Sequence, residues 1–186
     1  MNSVNIFNDY QQYREAGPDE IKKYEGILPS ELLDVWRDYG FGQMLDGYIK
    51  IINPDEYKEI LRESYFRAEE AIPIMMTAFG DVITWEDNRY IRMICFKDGV
   101  FKGLGAGFKY FFSNMLDEDF QKDFFEPDLF KCANEKLGKP EFDECYGFVP
   151  LLGLGGKRSA DNLEKVKVKE YIAIIAQMIG KIEKTQ

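Results

Sequence analysis

A chain of 186 residues with 45% hydrophobic and 15% aromatic side chains can bury one sizeable core and has none of the composition of a disordered protein. Its 33 acidic against 24 basic residues give a net charge of -9, which opposes contact with a nucleic-acid backbone. The absence of histidine removes the commonest general base and metal ligand, with every Ser–His or Cys–His nucleophile pair.

After a polar opening, QQYREAGPDEIKKYEG ends at a turn-forming glycine, and ILPSELLDVWRDYGFG then reads as one amphipathic helix. Pro29 and Ser30 mark its start, with the Ser30 side chain placed to accept from a first-turn N–H. Leu32, Leu33, Trp36 and Tyr39 share one face, and Gly40 ends the helix. DGYIKIIN alternates as a strand behind an Asp46-Gly47 turn. Asn53 caps the next helix, with Pro54 in its first position, Glu56 set to complete a capping box, and Tyr57, Ile60 and Leu61 along one side. From Ile72 to Leu104, short apolar runs broken by Gly80, the EDN cluster at 86–88 and Asp98-Gly99 predict an antiparallel meander. Its strands are apolar on both faces, so helices should cover at least one.

GLGAGFKYFFSNML turns from a glycine-rich loop into a helix carrying Phe108, Phe111, Phe112 and Met115. DEDFQKDFFEPDLFKCANEKLG predicts two short helical turns, the second from Pro127 to Gly138. The acidic stretch 117–128 is the only candidate domain boundary, yet its phenylalanines tie it to a core. YGFVPLLGLGG reads as an apolar connection, and SADNLEKVKVKEYIAIIAQMIG as a helix with Asp161 and Glu164 in capping-box spacing. The second half of that helix is apolar on every side and is expected to be buried. The fold class that follows is α+β, a mostly antiparallel sheet over residues 48–104 flanked by N-terminal and C-terminal helices.

No apolar run approaches the roughly 20 residues of a membrane span, and the opening MNSVNIFNDYQQ lacks the order of a signal peptide, so a cytoplasmic protein without a membrane partner is expected. Cys95, Cys132 and Cys145 fit neither a disulfide framework nor a metal pair, and neither a cofactor nor a metal is expected. No spacing singles out a catalytic pair among the carboxylates. LGLGGKRS departs from the phosphate-loop pattern at Leu151 and Arg158, leaving Gly155, Gly156, Lys157 and Arg158 as a candidate anion loop. GLGAG precedes a helix without a parallel βαβ unit and reads as a tight turn. Trp36 sits at core spacing, whereas Trp85, beside Glu86 and Asp87 at a turn, is either core or contact.

In this order, LPSELLDVWRDYGFG, DGYIKIINPDEY, TAFGDVITWE, KDGVFKGLGAGF and YGFVPLLGLGG resemble the GAD-like family of bacterial type VI secretion immunity proteins. Residues 1–110 are similar to the GAD-like portion and 111–186 to the carboxy-terminal immunity portion, packed as one body. The resemblance implies a non-enzymatic cytoplasmic protein that binds and blocks a cognate toxin, in one branch a DNase. A basic nuclease cleft would suit an acidic partner. Charge and turn position then nominate Asp46, Tyr48, Trp85, Glu86, Asp87, Asp117, Glu118 and Asp119 as toxin-contact candidates. A small-molecule or nucleotide sensor using the glycine loops, and a carboxylate enzyme, are the competing readings.

Overall fold

The computed structural model describes residues 5–186 and arranges seven strands of one antiparallel sheet in strict chain order. They are β1 (Gln11–Arg14), β2 (Phe41–Met44), β3 (Ile49–Ile51), β4 (Ala71–Thr77), β5 (Val82–Glu86), β6 (Tyr90–Cys95) and β7 (Val100–Ala106). Helices α1 (Pro18–Tyr24) and α2 (Ser30–Tyr39) separate β1 from β2, and α3 (Lys58–Ser64) separates β3 from β4. After β7 come α4 (Phe111–Asn114), α5 (Glu118–Phe124) and α6 (Pro127–Leu137), then a two-stranded ladder of β8 (Glu144–Phe148) and β9 (Leu163–Lys167), then α7 (Val168–Ile179).

Strand alternation divides the core in two. Ile51, Met75, Ile83 and Met93 pair in register across β3 to β6 and belong to the core that α2 closes with Leu32, Leu33 and Trp36. The same core takes Phe108, Phe111 and Phe125 from the segments after β7. One residue along, Met76, Val82 and Ile94 belong to a second core closed by Tyr57, Leu61 and Tyr65 and by Tyr171, Ile172 and Ile175 of α7. Helices therefore cover both faces, which explains strands without a polar side.

Lys50 shares a register row with Met76 and Val82 and is fully buried. Its ammonium donates to the carbonyls of Glu141 (2.7 Å), Phe142 (3.2 Å) and Glu144, fastening β3 to the segment that leads into β8. Gly40 lets the chain pass directly from α2 into β2 at φ 71°, where a Cβ would stand 2.3 Å from the Arg14 carbonyl on β1. Gly80, at φ 78°, makes the β4–β5 turn and leaves room for the Cys145 thiol. The residues after α7 fold back, with the Ile182 N–H donating to the Ser64 carbonyl (2.8 Å) and the Phe101 N–H to the Lys184 carbonyl (2.8 Å).

Several local expectations are corrected. The sheet runs from residue 11 to 106, not 48 to 104, because β1 and β2 join it. Ser30 is the first helical residue, Pro29 holds the cap position, and the Ser30 hydroxyl bonds to Glu31. Asn53 caps as expected, accepting from the Asp55 N–H, but over a short 3-10 turn, and Glu56 pairs with Arg14. Asp161 and Glu164 form no capping box, since Asp161 lies in a 3-10 turn (Ala160–Asn162) and Glu164 in the extended β9, and of the expected apolar connection 146–156 the first three residues belong to β8. GLGAG lies largely in β7. Helix α7 buries one face only and leaves Ile174, Met178 and Ile179 about half exposed. Among the described residues no helix is long and apolar enough to cross a membrane.

Candidate functional site

The contact candidates fall into three places. Asp46 sits on the β2–β3 turn, where Leu45, Asp46 and Gly47 all have positive φ. The turn is held from outside, as the Asp9 carboxylate accepts from the N–H groups of Leu45 (3.2 Å) and Asp46 (2.5 Å). The Asp46 carboxylate accepts from Asn134 of α6 (2.8 Å) and pairs with Lys139 (2.6 Å). Tyr48 follows it inward, 5% exposed, its ring packed against Phe79, Phe125 and Phe130. Burial pushes the Tyr48 phenol well above its ordinary range. Tyr48 and Asp46, with Leu45, Gln121, Phe125, Pro127 and Phe130, line a cavity of about 340 Å³.

The second place adjoins that cavity. Asp117 caps α5 by accepting from the N–H groups of Asp119 (3.1 Å) and Phe120 (3.0 Å), so its carboxylate serves the helix. Glu118 and Asp119 project into solvent, met among the described residues only by Lys122 at 3.7 Å and 3.9 Å, and Asp123 and Asp128 are exposed as well. On the other side Phe120 packs against Phe111, Phe124 and Phe125. Aromatic packing beneath the helix holds its acidic face outward. Of the cavity's aromatic walls, Tyr48 is among the sequence candidates while Phe125 and Phe130 are not, although FFEPDLF beside an acidic run is a usable signal.

The third place is structural. Trp85 is 5% exposed and packs edge-on against Phe108, with its indole N–H unpartnered, so it is core. Glu86 has no exposure at all. Its carboxylate accepts from the Tyr65 hydroxyl (3.1 Å), the Thr84 hydroxyl (2.8 Å), Arg67 (3.0 Å) and Arg92. Only Asp87 reaches the surface, paired with Arg67 (2.8 Å). Burial thus removes Trp85 and Glu86 from any contact surface and makes Tyr48 the lining of a cavity.

The anion loop is corrected on the same grounds. The N–H groups of Gly155 and Gly156 bond to the carbonyls of Leu152 and Leu151. Arg158 pairs with Glu126 (2.5 Å) and with Asp98, leaving exposed Lys157 with no cradle. Arg158 belongs instead to the exposed rim of an ionic cluster, absent from the sequence reading, whose centre alone is buried. Lys97 faces Asp81, Glu126 (3.3 Å) and Asp98 (3.8 Å), and both Lys97 and Asp81 are nearly without exposure. Burial opposes the Lys97 charge, but the surrounding carboxylates outweigh it and hold the ammonium protonated. For Asp81 burial wins, lifting its carboxyl to about 6 against the single cation that touches it.

Residues 2–97 match the family model described as the GAD-like domain, and residues 106–179 match the one described as T6SS immunity protein Tdi1, C-terminal. The chain belongs to the GAD-like family of type VI secretion immunity proteins. The match supports an immunity function for it and implies that it binds a cognate toxin. A crystal structure of Atu4351 from Agrobacterium tumefaciens shares the fold of this immunity protein, with a TM-score of 0.73 at 20% identity over 94% of this chain and 88% of that one. No curated protein matches the chain. The two matched stretches of the immunity protein meet at this ionic cluster, the buried Asp81 and Lys97 coming from the first and the more exposed Glu126 and Arg158 from the second.

Proposed function

We propose that this immunity protein neutralises a DNA-degrading toxin in the cytoplasm by binding alone, with the outer face of α5 and the start of α6 set against the basic cleft a nuclease offers its substrate. The observation that carries this reading is the contrast between two sets of carboxylates. Glu86 and Asp81 are sequestered with cations, whereas Glu118, Asp119, Asp123 and Asp128 stand in solvent. Of the six carboxylates in residues 117–130, Glu126 is paired with Lys97 and Arg158, and the other five face one lysine, Lys122. Such a field speeds encounter with a basic partner and rejects acidic ones. A chain without histidine has little equipment for catalysis of its own, which favours occlusion of the toxin over its chemical inactivation.

The test is the affinity for the toxin encoded by the adjacent reading frame, measured for the wild type and for the triple variant Glu118→Lys, Asp119→Lys, Asp123→Lys. The exposed positions leave stability nearly unchanged. Association should slow by at least tenfold at low salt, and the difference should shrink as salt is added. Equal rates for the two proteins would remove α5 from the interface, and a toxin without nuclease activity would overturn the substrate assignment.

A further inference from the structure

Resting on the docking reading above, we propose that the cavity between the β2–β3 turn and helices α5 and α6 is a socket for one arginine side chain of the toxin. Its walls are the rings of Tyr48, Phe125 and Phe130 with Leu45 and Pro127, and its polar members are Asp46 and Gln121. Tyr48 is 5% exposed, lines the cavity, and its hydroxyl has no hydrogen-bond partner among the described residues. The ring is buried but the hydroxyl oxygen is not fully enclosed, so it meets solvent through the cavity, and an occupant that displaces that water must replace its hydrogen bond. At about 340 Å³ the space is of the size that takes a side chain rather than a single water.

The chemistry around the socket selects its occupant. The five carboxylates of residues 117–130 other than Glu126, which is held by Lys97 and Arg158, repel an anion. A purely apolar side chain would fill the aromatic walls but shut water away from the Tyr48 hydroxyl without replacing it. Arginine satisfies both requirements, since its planar guanidinium stacks on aromatic rings and its five donors suit acceptors on several sides. Those acceptors are the Asp46 carboxylate, the Gln121 amide oxygen and the Tyr48 hydroxyl oxygen. Both Asp46 oxygens are already met, Oδ1 by Lys139 (2.6 Å) and Oδ2 by the Asn134 amide (2.8 Å), so arginine must displace the exposed Lys139, a pair worth little, or share an oxygen with Asn134. Arginine and aromatic side chains in a desolvated pocket are also the groups that dominate binding energy at protein interfaces.

The experiment has two arms. In the first, N-acetyl-arginine amide is titrated into the full chain and followed by the ring resonances of Tyr48, Phe125 and Phe130, with N-acetyl-leucine amide as control. Saturable shifts with the arginine probe, weakened about tenfold in Asp46→Asn and several-fold in Tyr48→Phe, are expected. Neither variant endangers the fold, because asparagine tolerates the positive φ of position 46 and the Tyr48 hydroxyl supports nothing. No shift, an equal response to the leucine probe, or shifts indifferent to both variants would overturn the proposal. In the second arm, the same two variants should lower toxin affinity about tenfold each. If charge reversal on α5 weakens the toxin while Asp46→Asn and Tyr48→Phe do not, the docking face stands and the arginine socket falls.

Discussion

A carboxylate without exposure, shared among two arginines and two hydroxyls, makes Glu86 a structural residue. Removing it leaves Arg67 and Arg92 facing each other across a buried site, so Glu86→Ala should lose about 3–5 kcal/mol of stability in urea denaturation. Toxin affinity, measured where the variant remains folded, should not change; a surface-like loss below about 0.5 kcal/mol would refute this placement. Lys50 supplies the second prediction at this scale. Burial pushes its ammonium down to about 8, while nearby carboxylates, Asp143 and Glu144 among them, pull it back. Below pH 8 the lysine is protonated folded and unfolded, so the burial penalty is felt in full. Between about 8 and the ordinary 10.5 the unfolded chain holds a proton that the folded one has released, so this group makes stability rise with pH there. The stability of the wild type relative to Lys50→Met, measured at pH 7.5 and 9.5, should therefore increase at the higher pH; a constant or falling difference would contradict the assignment. Neither residue could be read in this way from the sequence. Glu86 and Asp87 look alike there, and only the end of β5 decides between them, Glu86 closing the strand beneath Arg92 and Asp87 reaching water from the turn at φ 53°.

Elements were legible where their signals were local. The leucine and tryptophan face of α2, the Pro127 start and Gly138 stop of α6, and the apolar runs of β4 to β6 all follow from spacing and turn chemistry. The missed strands are those whose pairing is remote. Strand β1 is a polar edge with exposed side chains, and its register against β2 depends on the close approach that Gly40 permits. Strand β9 has the composition of a helix start, and only its pairing with β8 keeps it extended. Helix α7 looked wholly buried because periodicity reports how apolar a face is and not whether anything lies against it. The chain after α7 shows how remote pairing stabilises an element. Ile182 is buried between α3 and the second core, and the backbone beyond it bonds to β7 at Phe101. Ile182→Ala should lower stability by about 2–4 kcal/mol, and hydrogen exchange should quicken at Phe101 more than at the central strand β5. Uniform acceleration across all strands would mean that the segment does not protect this edge locally.

For the whole molecule, the division at about residue 110 is a proposal about ancestry more than about folding units. Both cores need both portions. Helices α1 and α2 cover one face of the sheet together with α5 and α6, and α7 crosses to join α3 on the other. The ionic cluster lies across that seam, with the buried Lys97 facing Asp81 from its own portion and Glu126 from the other, and the exposed Arg158 capping it from outside. Replacing the central cation is therefore the sharpest test of unity. In Lys97→Met, Asp81 keeps its burial and loses the only cation that touches it, while Glu126 retains Arg158. Such a break in a buried network costs about 3–5 kcal/mol at neutral pH. The pH dependence follows from Asp81, whose carboxyl stands at about 6 even with the lysine present and must rise further without it. A folded carboxyl raised above its unfolded value of 3.8 binds a proton first as pH falls, so its burden on stability is greatest at high pH and lifts toward pH 4. The gap between wild type and Lys97→Met should accordingly narrow from pH 8 to pH 5. If the two portions fold as one, the variant will keep a single unfolding transition at a lower midpoint, and amides of β4 and β8 will exchange through the same opening. Two transitions, or a β8 that opens well before β4, would show instead that the immunity protein is a pair of units held together at Lys97.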